Sequence, residues 1–345
     1  MTKGGGHAME PWLGLDPVAG VAGVMLLALM AYAVLGGADF GGGIWDLLAT
    51  GPRREQHRQA IAKAMGPVWE ANHVWLIFVI VILFTVFPTG YRALGIAFFG
   101  LFHLVLVGIV LRGAAFAFRA GASVDSRQWR VWSPVFGGAS AVTPFLLGLA
   151  AAAVSGGGIR VGAGGVVQVD PGRTWFSPVS VMMGFLTVAM CAYLAAVFLT
   201  VETRGDLQED FRRRALGSGV VLALLAAALL PLLPTGMPQL WAHFSQPRAG
   251  PLLLAGAALA VLSAAAIYTR RYLVARVSAV GQVILLLTGW ALGQWPYLIY
   301  PDVTFHGAAA SGPSARFVLQ TLPFGLLVLL PSLWLLFRVF KTAVR

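Results

Sequence analysis

Glu70 and His73 stand three residues apart in Gly66-Pro-Val-Trp-Glu-Ala-Asn-His-Val-Trp75, just before a run that stays apolar to Phe87. Three residues is close to one helical turn, so the acid and the imidazole share a helix face. Two further charged groups reach a similar depth. At 1.5 Å per residue, Asp39 falls about 33 Å along a helix begun at Pro17, and Arg112 about 27 Å along one begun at Leu94. Glu70 falls about 5 Å into a helix begun at Pro67, a natural first helical position. Two carboxylates and a guanidinium in one hydrocarbon layer can hold charge on one another, or exchange a proton when a pair separates. That chemistry suits a proton path from water to a buried reaction centre through Glu70, Asp39 and Arg112, with Asn72 and His73 as supporting polar groups and Trp69 and Trp75 flanking as interface aromatics or lids.

Each group also has a simpler reading. Asp39 can close a turn in the glycine-rich stretch Gly36 to Gly43, Arg112 can snorkel its long stem to the interface, and Glu70 can be a favourable charge at a helix amino terminus. His73 and His103 could ligate haem iron, but an isolated histidine in a helix is more often a hydrogen-bonded core residue. The single cysteine, Cys191, permits neither an intrachain disulfide nor a cysteine-based metal site. The glycine run follows a membrane helix instead of a strand, so its likeness to a nucleotide loop is compositional only.

The elements that must position these groups follow from composition. Hydrophobic residues make up 58% of the 345 and charged residues only 11%, less than half the share of a soluble domain. A span needs about 20 apolar residues to cross roughly 30 Å of hydrocarbon. Such runs occur at 17–38, 67–87, 94–118, 131–155, 176–201, 215–234, 250–269, 273–295 and 315–337. They predict an all-α polytopic membrane protein of about nine transmembrane helices.

The net charge of +11 reports topology instead of a nucleic-acid partner. With the amino terminus outside, inner loops and tail take Arg53, Arg54, Arg58, Lys63, Arg119, Arg127, Arg130, Arg204, Arg212, Arg213, Arg214, Arg270, Arg271, Arg276, Arg338, Lys341 and Arg345, most of the 24 basic residues. The other side takes Lys3, Arg92, Arg160, Arg173, Arg248 and Arg316. By the positive-inside rule the carboxyl terminus is then cytoplasmic.

The chain also repeats itself. Pro17, Val18, Gly23, Ala28, Ala31 and Tyr32 recur as Pro178, Val179, Gly184, Ala189, Ala192 and Tyr193, and Phe87-Pro-Thr-Gly90 recurs as Leu233-Pro-Thr-Gly236. Four helices per copy give both copies one orientation, hence a parallel internal repeat of two four-helix bundles. The expected division is an amino-terminal extension (1–16), a first bundle (17–155), a second bundle (176–295), and a ninth helix with a cytoplasmic tail (315–345). Asp39 corresponds to Thr200 and Glu70 to Leu216, so the ionisable groups belong to the first copy and the second reads as scaffold.

Gly37-Ala-Asp-Phe-Gly41, the 66–75 motif, Phe87-Pro-Thr89, Leu111-Arg-Gly113 and Phe118-Arg119 come in the order seen in subunit II of cytochrome bd-type quinol oxidases. Pro296-Tyr-Leu-Ile-Tyr-Pro301 and Pro313-Ser-Ala-Arg316 extend the resemblance almost to the end. The version with Glu70 and His73 is most similar to the cyanide-insensitive branch. The resemblance implies a haem-free subunit in the bacterial cytoplasmic (inner) membrane, with no metal or cofactor site and no bond chemistry of its own. Haems b and d and the quinol site would belong to a partner subunit I, and the complex would oxidise quinol and reduce oxygen to water. A small single-helix subunit, membrane lipid and a bound quinone are further partners it allows. The positions matching Trp69 and Glu70 would lie on a cytoplasmic proton-uptake path, with Arg112 near it and Asp39 a family carboxylate. Gly36 and Ala117 stand where many relatives carry acids, which would cost Arg112 one partner. The rival reading is a stand-alone proton-coupled secondary transporter, since duplicated bundles with buried carboxylates also suit alternating access.

Overall fold

A bilayer offers backbone N–H and C=O groups no water, so a chain this apolar must satisfy them within helices. The structure, a computed structural model, describes residues 16–119, 126–310 and 313–342; the side chains of 65–68, 70, 163, 336, 337 and 339–342 lie outside the described set. In chain order the helices are α1 (Pro17–Leu47), α2 (Arg54–Val86), α3 (Pro88–Ala97), α4 (Phe99–Arg119), α5 (Arg127–Gly156), α6 (Pro171–Thr174), α7 (Pro178–Glu202), α8 (Asp206–Leu229), α9 (Leu233–Gly236), α10 (Pro238–Phe244), α11 (Gly250–Tyr268), α12 (Tyr272–Gln294), α13 (Phe305–Ala308) and α14 (Pro313–Thr342). Two short hairpins, β1 (Ile159–Val161) with β2 (Val167–Val169) and β3 (Tyr297–Ile299) with β4 (Val303–Thr304), lie in the connections. Among the described residues eight helices are long and apolar enough to cross a membrane, or nine if one bent pair counts as a single span. The chain is therefore a predominantly helical, multi-pass membrane protein.

Local sequence sets the helix starts. Asp16 accepts a hydrogen bond from the Val18 N–H at 3.0 Å, with Pro17 at the first helical position, and Ser177 caps α7 in the same way ahead of Pro178. Ser126 opens α5, and Gly157, at φ 74°, ends it in the left-handed region that glycine adopts without strain.

Three predicted boundaries differ. First, α1 continues to Leu47 through the glycine-rich stretch, so Asp39 closes no turn. The glycines serve packing instead: a Cβ on Gly41 would overlap the Cys191 carbonyl of α7, and one on Gly43 would overlap Ser140 of α5. Second, α2 starts at Arg54, so Glu70 sits about 24 Å inside the helix. The helix-terminus reading of Glu70 fails with that start. The segment 54–66 is polar on one face and helical nonetheless, as the Gln59 to Glu55 side-chain bond of 3.0 Å one turn apart illustrates. Third, no straight helix covers 94–118: the chain bends by 117° between the Ala71–Val86 part of α2 and α3 at the Phe87-Pro88 step, then starts α4 at Phe99.

The helix α1 packs against α2, α5 and α7, while α4 packs against α5; α7 packs against α8, α5 and α12, and α11 against α12. The α1–α7 seam is the centre of the molecule. It is sealed by the Gly41–Cys191 approach and by Trp45 donating Nε1–H to the Ala192 carbonyl at 2.7 Å. Large apolar side chains such as Phe84, Leu104, Leu254 and Leu327 face outward, as a hydrocarbon surrounding demands. At the end opposite the 48–53 turn, Arg160 ties the β1–β2 hairpin to Asp302 at 2.7 Å.

Candidate functional site

The layer predicted from three helices exists, and it forms around Asp39. Its side chain is 1% exposed. One carboxylate oxygen accepts from Nη2 of Arg112 at 2.5 Å and the other from Nδ2 of Asn72 at 2.8 Å. Arg112 also donates to the Asp39 carbonyl at 3.1 Å and, through Nε, to the Ser140 hydroxyl at 2.9 Å, which donates onward to the Phe136 carbonyl. The rings of Phe40 and Phe136 flank the guanidinium at 5.1 and 4.9 Å. Arg112 is thus sealed inside, and the snorkelling alternative does not hold. Its partner is Asp39, so the acids missing at Gly36 and Ala117 do not leave it unpaired.

Of the other predicted residues, Trp69 packs on Phe116 at 5.7 Å and on His73 at 5.5 Å, and its ring touches the Cβ position of Gly113. It therefore closes the α2–α4 side beside the Arg112 layer. His73 and His103 each hydrogen-bond through Nδ1 to the carbonyl four residues back in their own helices, at 2.9 and 2.6 Å. Asn72 Oδ1 is buried with no partner among the described residues. The backbone of Glu70 lies on α2 two residues before Asn72, and its side chain is outside the described residues. No three His, Cys, Asp or Glu side chains gather as a metal site among the described residues.

Sequence reasoning missed a second layer. Asp46, on α1, is 0% exposed and receives both terminal nitrogens of Arg119, at 3.1 and 2.8 Å. Ser133 donates to it at 3.0 Å, and the Arg58 Nε stands 4.0 Å from it. Trp129 and Phe136 cover the Arg119 guanidinium at 4.1 and 4.6 Å. The signal was present in spacing. Asp39 and Asp46, Arg112 and Arg119, and Ser133 and Ser140 are each seven residues apart, which is two turns and about 10.5 Å of helix. The apolar runs end at 38 and 118, which leaves Asp46 and Arg119 outside the predicted spans, whereas α1 and α4 include them.

Beyond these layers the basic end of the molecule is knitted by ion pairs between the two halves. Arg53 reaches Asp210 at 2.9 Å and Asp206 at 3.2 Å, while His57 meets Asp210 at 3.0 Å. Burial lowers the pKa of His57, the Arg214 charge lowers it further, and the Asp210 contact opposes both.

Residues 19–340 match the family described as cytochrome bd terminal oxidase subunit II. The chain belongs to that family. Over 217 residues it is 29% identical to the cytochrome bd ubiquinol oxidase subunit 2 of Bacillus subtilis (strain 168), covering 62% of each chain. Over 207 residues it is 27% identical to the cytochrome bd-I ubiquinol oxidase subunit 2 of Escherichia coli (strain K12), covering 59% of this chain and 52% of that one. These matches span between about half and two thirds of the curated relatives' length. In fold the subunit II chain is similar to a chain of the bd oxidase from Geobacillus thermodenitrificans, with a TM-score of 0.79, 24% identity, and coverage of 94% and 98%. Membership of a bacterial family with spanning helices makes it a multi-pass inner-membrane protein.

Proposed function

We propose that this chain is the haem-free subunit II of a quinol-oxidising, oxygen-reducing membrane complex, and that its first bundle carries protons from the cytoplasm towards a haem-bearing subunit I. The observation that carries the reading is the buried Asp39–Arg112–Asn72 cluster. A carboxylate in hydrocarbon is expensive unless paired, and helix packing alone does not need one. Paired with Arg112, Asp39 holds its charge at rest. When the arginine shifts towards Ser140, Asp39 can take up a proton and pass it on, with Asn72 orienting the carboxylate and Trp69 keeping lipid and bulk water from the layer. The position of Glu70 on α2, near Asn72, makes it the next acid on this path. The basic end, with Arg53, Arg58 and Arg119, is the cytoplasmic side by the positive-inside rule, which puts the carboxyl terminus inside and the amino terminus outside. Oxygen reduction itself is chemistry of the partner's haems.

Purification from native membrane through a tag on this chain tests the partnership, a haem-bearing subunit being the expected companion. For the path, Glu70→Gln preserves size and hydrogen bonding while removing the exchangeable acid, so turnover should fall on the order of tenfold, about 1.4 kcal/mol in the limiting barrier. Leu216→Gln, at the matching place in the second copy, should not slow oxygen consumption comparably. Full turnover of Glu70→Gln with normal haem content would remove Glu70 from the path. A chain that purifies without pigment and moves protons alone would favour the transporter.

A further inference from the structure

Between the Asp39 and Asp46 layers lies a cavity of about 10 Å³, walled by Asp39, Arg112, Arg119, Ile61, Phe116 and Phe136. That volume is near the minimum for one water, and a buried water needs two to four polar partners. Three are present. Arg112 spends Nε and Nη2 on Ser140 and Asp39, and Arg119 spends Nη1 and Nη2 on Asp46, so each guanidinium keeps N–H donors beyond those bonds. Asp39 supplies an acceptor. Arg119, which lines the cavity, is paired at 2.8 Å with the fully buried Asp46, which is not among the lining residues.

We infer that this cavity holds a single ordered water and that Asp46 is a second proton-carrying carboxylate on the basic-end side of Asp39, with Arg119 as the positioning residue between Asp46 and that water. The inference rests on the proton-path reading and extends it. The repeated Asp–Arg–Ser arrangement, two turns apart on α1, α4 and α5, gives a proton two equivalent stations instead of one. Phenylalanine and isoleucine walls exclude a continuous water column, so transfer depends on the one water. Seated on Asp46, the Arg119 cation blocks that route; leaning into the cavity, it opens Asp46 to the water. Arg58, 4.0 Å away, then holds the Asp46 charge during the exchange.

The test uses the whole haem-bearing complex and reads three things: haem content, oxygen consumption, and the solvent deuterium isotope effect on turnover. Asp46→Asn is expected to keep haem, slow turnover about tenfold and raise the isotope effect, with Asp46→Glu restoring most of the rate. Normal rate and isotope effect in Asp46→Asn, alongside slowed turnover in an Asp39→Asn, Arg112→Gln double variant, would overturn this inference and leave the path through Asp39 standing. Normal turnover in both would overturn the path itself. If Asp46→Asn fails to assemble, Arg119→Lys decides, because it keeps the charge and loses the two-pronged grip. A changed isotope effect with normal haem supports the gate, and an unchanged one contradicts it.

Discussion

The segments 17–155 and 176–295, which we propose to be two copies of one bundle, join their helices with different chemistry. In the first, α1 is joined to α4 by buried ion pairs, Asp39 with Arg112 and Asp46 with Arg119, and each pair is backed by a serine of α5. In the second, the buried cross-helix contact is neutral: the Tyr193 hydroxyl meets the Ser263 hydroxyl at 2.6 Å, and Ser263 donates to the Ala275 carbonyl. Its ion pairs, Arg276–Glu202 at 3.1 Å and Arg270–Glu209 at 3.4 Å among them, are partly exposed. Thr200, at the position matching Asp39, turns back on its own helix and donates to the Val197 carbonyl. Yet α7 packs against α8 as α1 packs against α2. Among the described residues, helices of this kind therefore assemble without a buried ion pair, and the buried pairs on α1 call for another purpose.

Breaking one partner of a pair should sharpen this contrast most. Arg112→Leu leaves Asp39 buried with Asn72 as its only remaining side-chain donor among the described residues, a loss of about 3–5 kcal/mol, so the complex should be recovered poorly, measured as haem-bearing complex per cell. Tyr193→Phe in the second bundle removes one neutral hydrogen bond, worth about 1 kcal/mol, and should lower the thermal midpoint slightly while turnover stays unchanged. A recovery as poor as that of Arg112→Leu would put the two bundles on an equal footing.

The smallest expected effect lies outside both bundles. Asp302 is held below the ordinary carboxylate value of 3.8, first by its hydrogen bond from Arg160. A carboxylate whose folded pKa is depressed contributes stability that is complete above its unfolded value and is lost as pH falls through the folded one. Arg160 is 60% exposed and Asp302 21%, and solvent screening keeps the contribution of such a surface pair small. Measured against the intrinsic exchange rate at each pH, the 159–169 hairpin of the wild type should lose protection from hydrogen exchange as pH falls below about 4, the ordinary carboxylate pKa, and Asp302→Asn should flatten that dependence.

Hydropathy located the spans because burial in lipid leaves long apolar runs, and helix rise brought Asp39 and Arg112 to one depth. What stayed hidden was hidden for physical reasons. Glycines read as a turn where they permit the backbones of α1 and α7 to touch at Gly41 and Cys191. Charges at 54–66 read as loop where they form the amphipathic start of α2. Both errors cut helices short, and Asp46 on α1 and Arg58 on α2 lay in the residues cut away, while Arg119 fell one residue past the run predicted at 94–118. The bend at Pro88 was legible only as a proline, because its direction depends on what α3 packs against.

The most direct test of the central claim converts the first bundle to the chemistry of the second. The double variant Asp39→Asn, Arg112→Gln replaces the ion pair with neutral hydrogen-bonding groups and leaves no uncompensated buried charge. Oxygen consumption per haem should fall at least tenfold, roughly 1.4 kcal/mol or more in the limiting barrier, in a complex with normal haem content. Full turnover per haem across the working pH range would show that the pair only holds helices together, and would contradict the account.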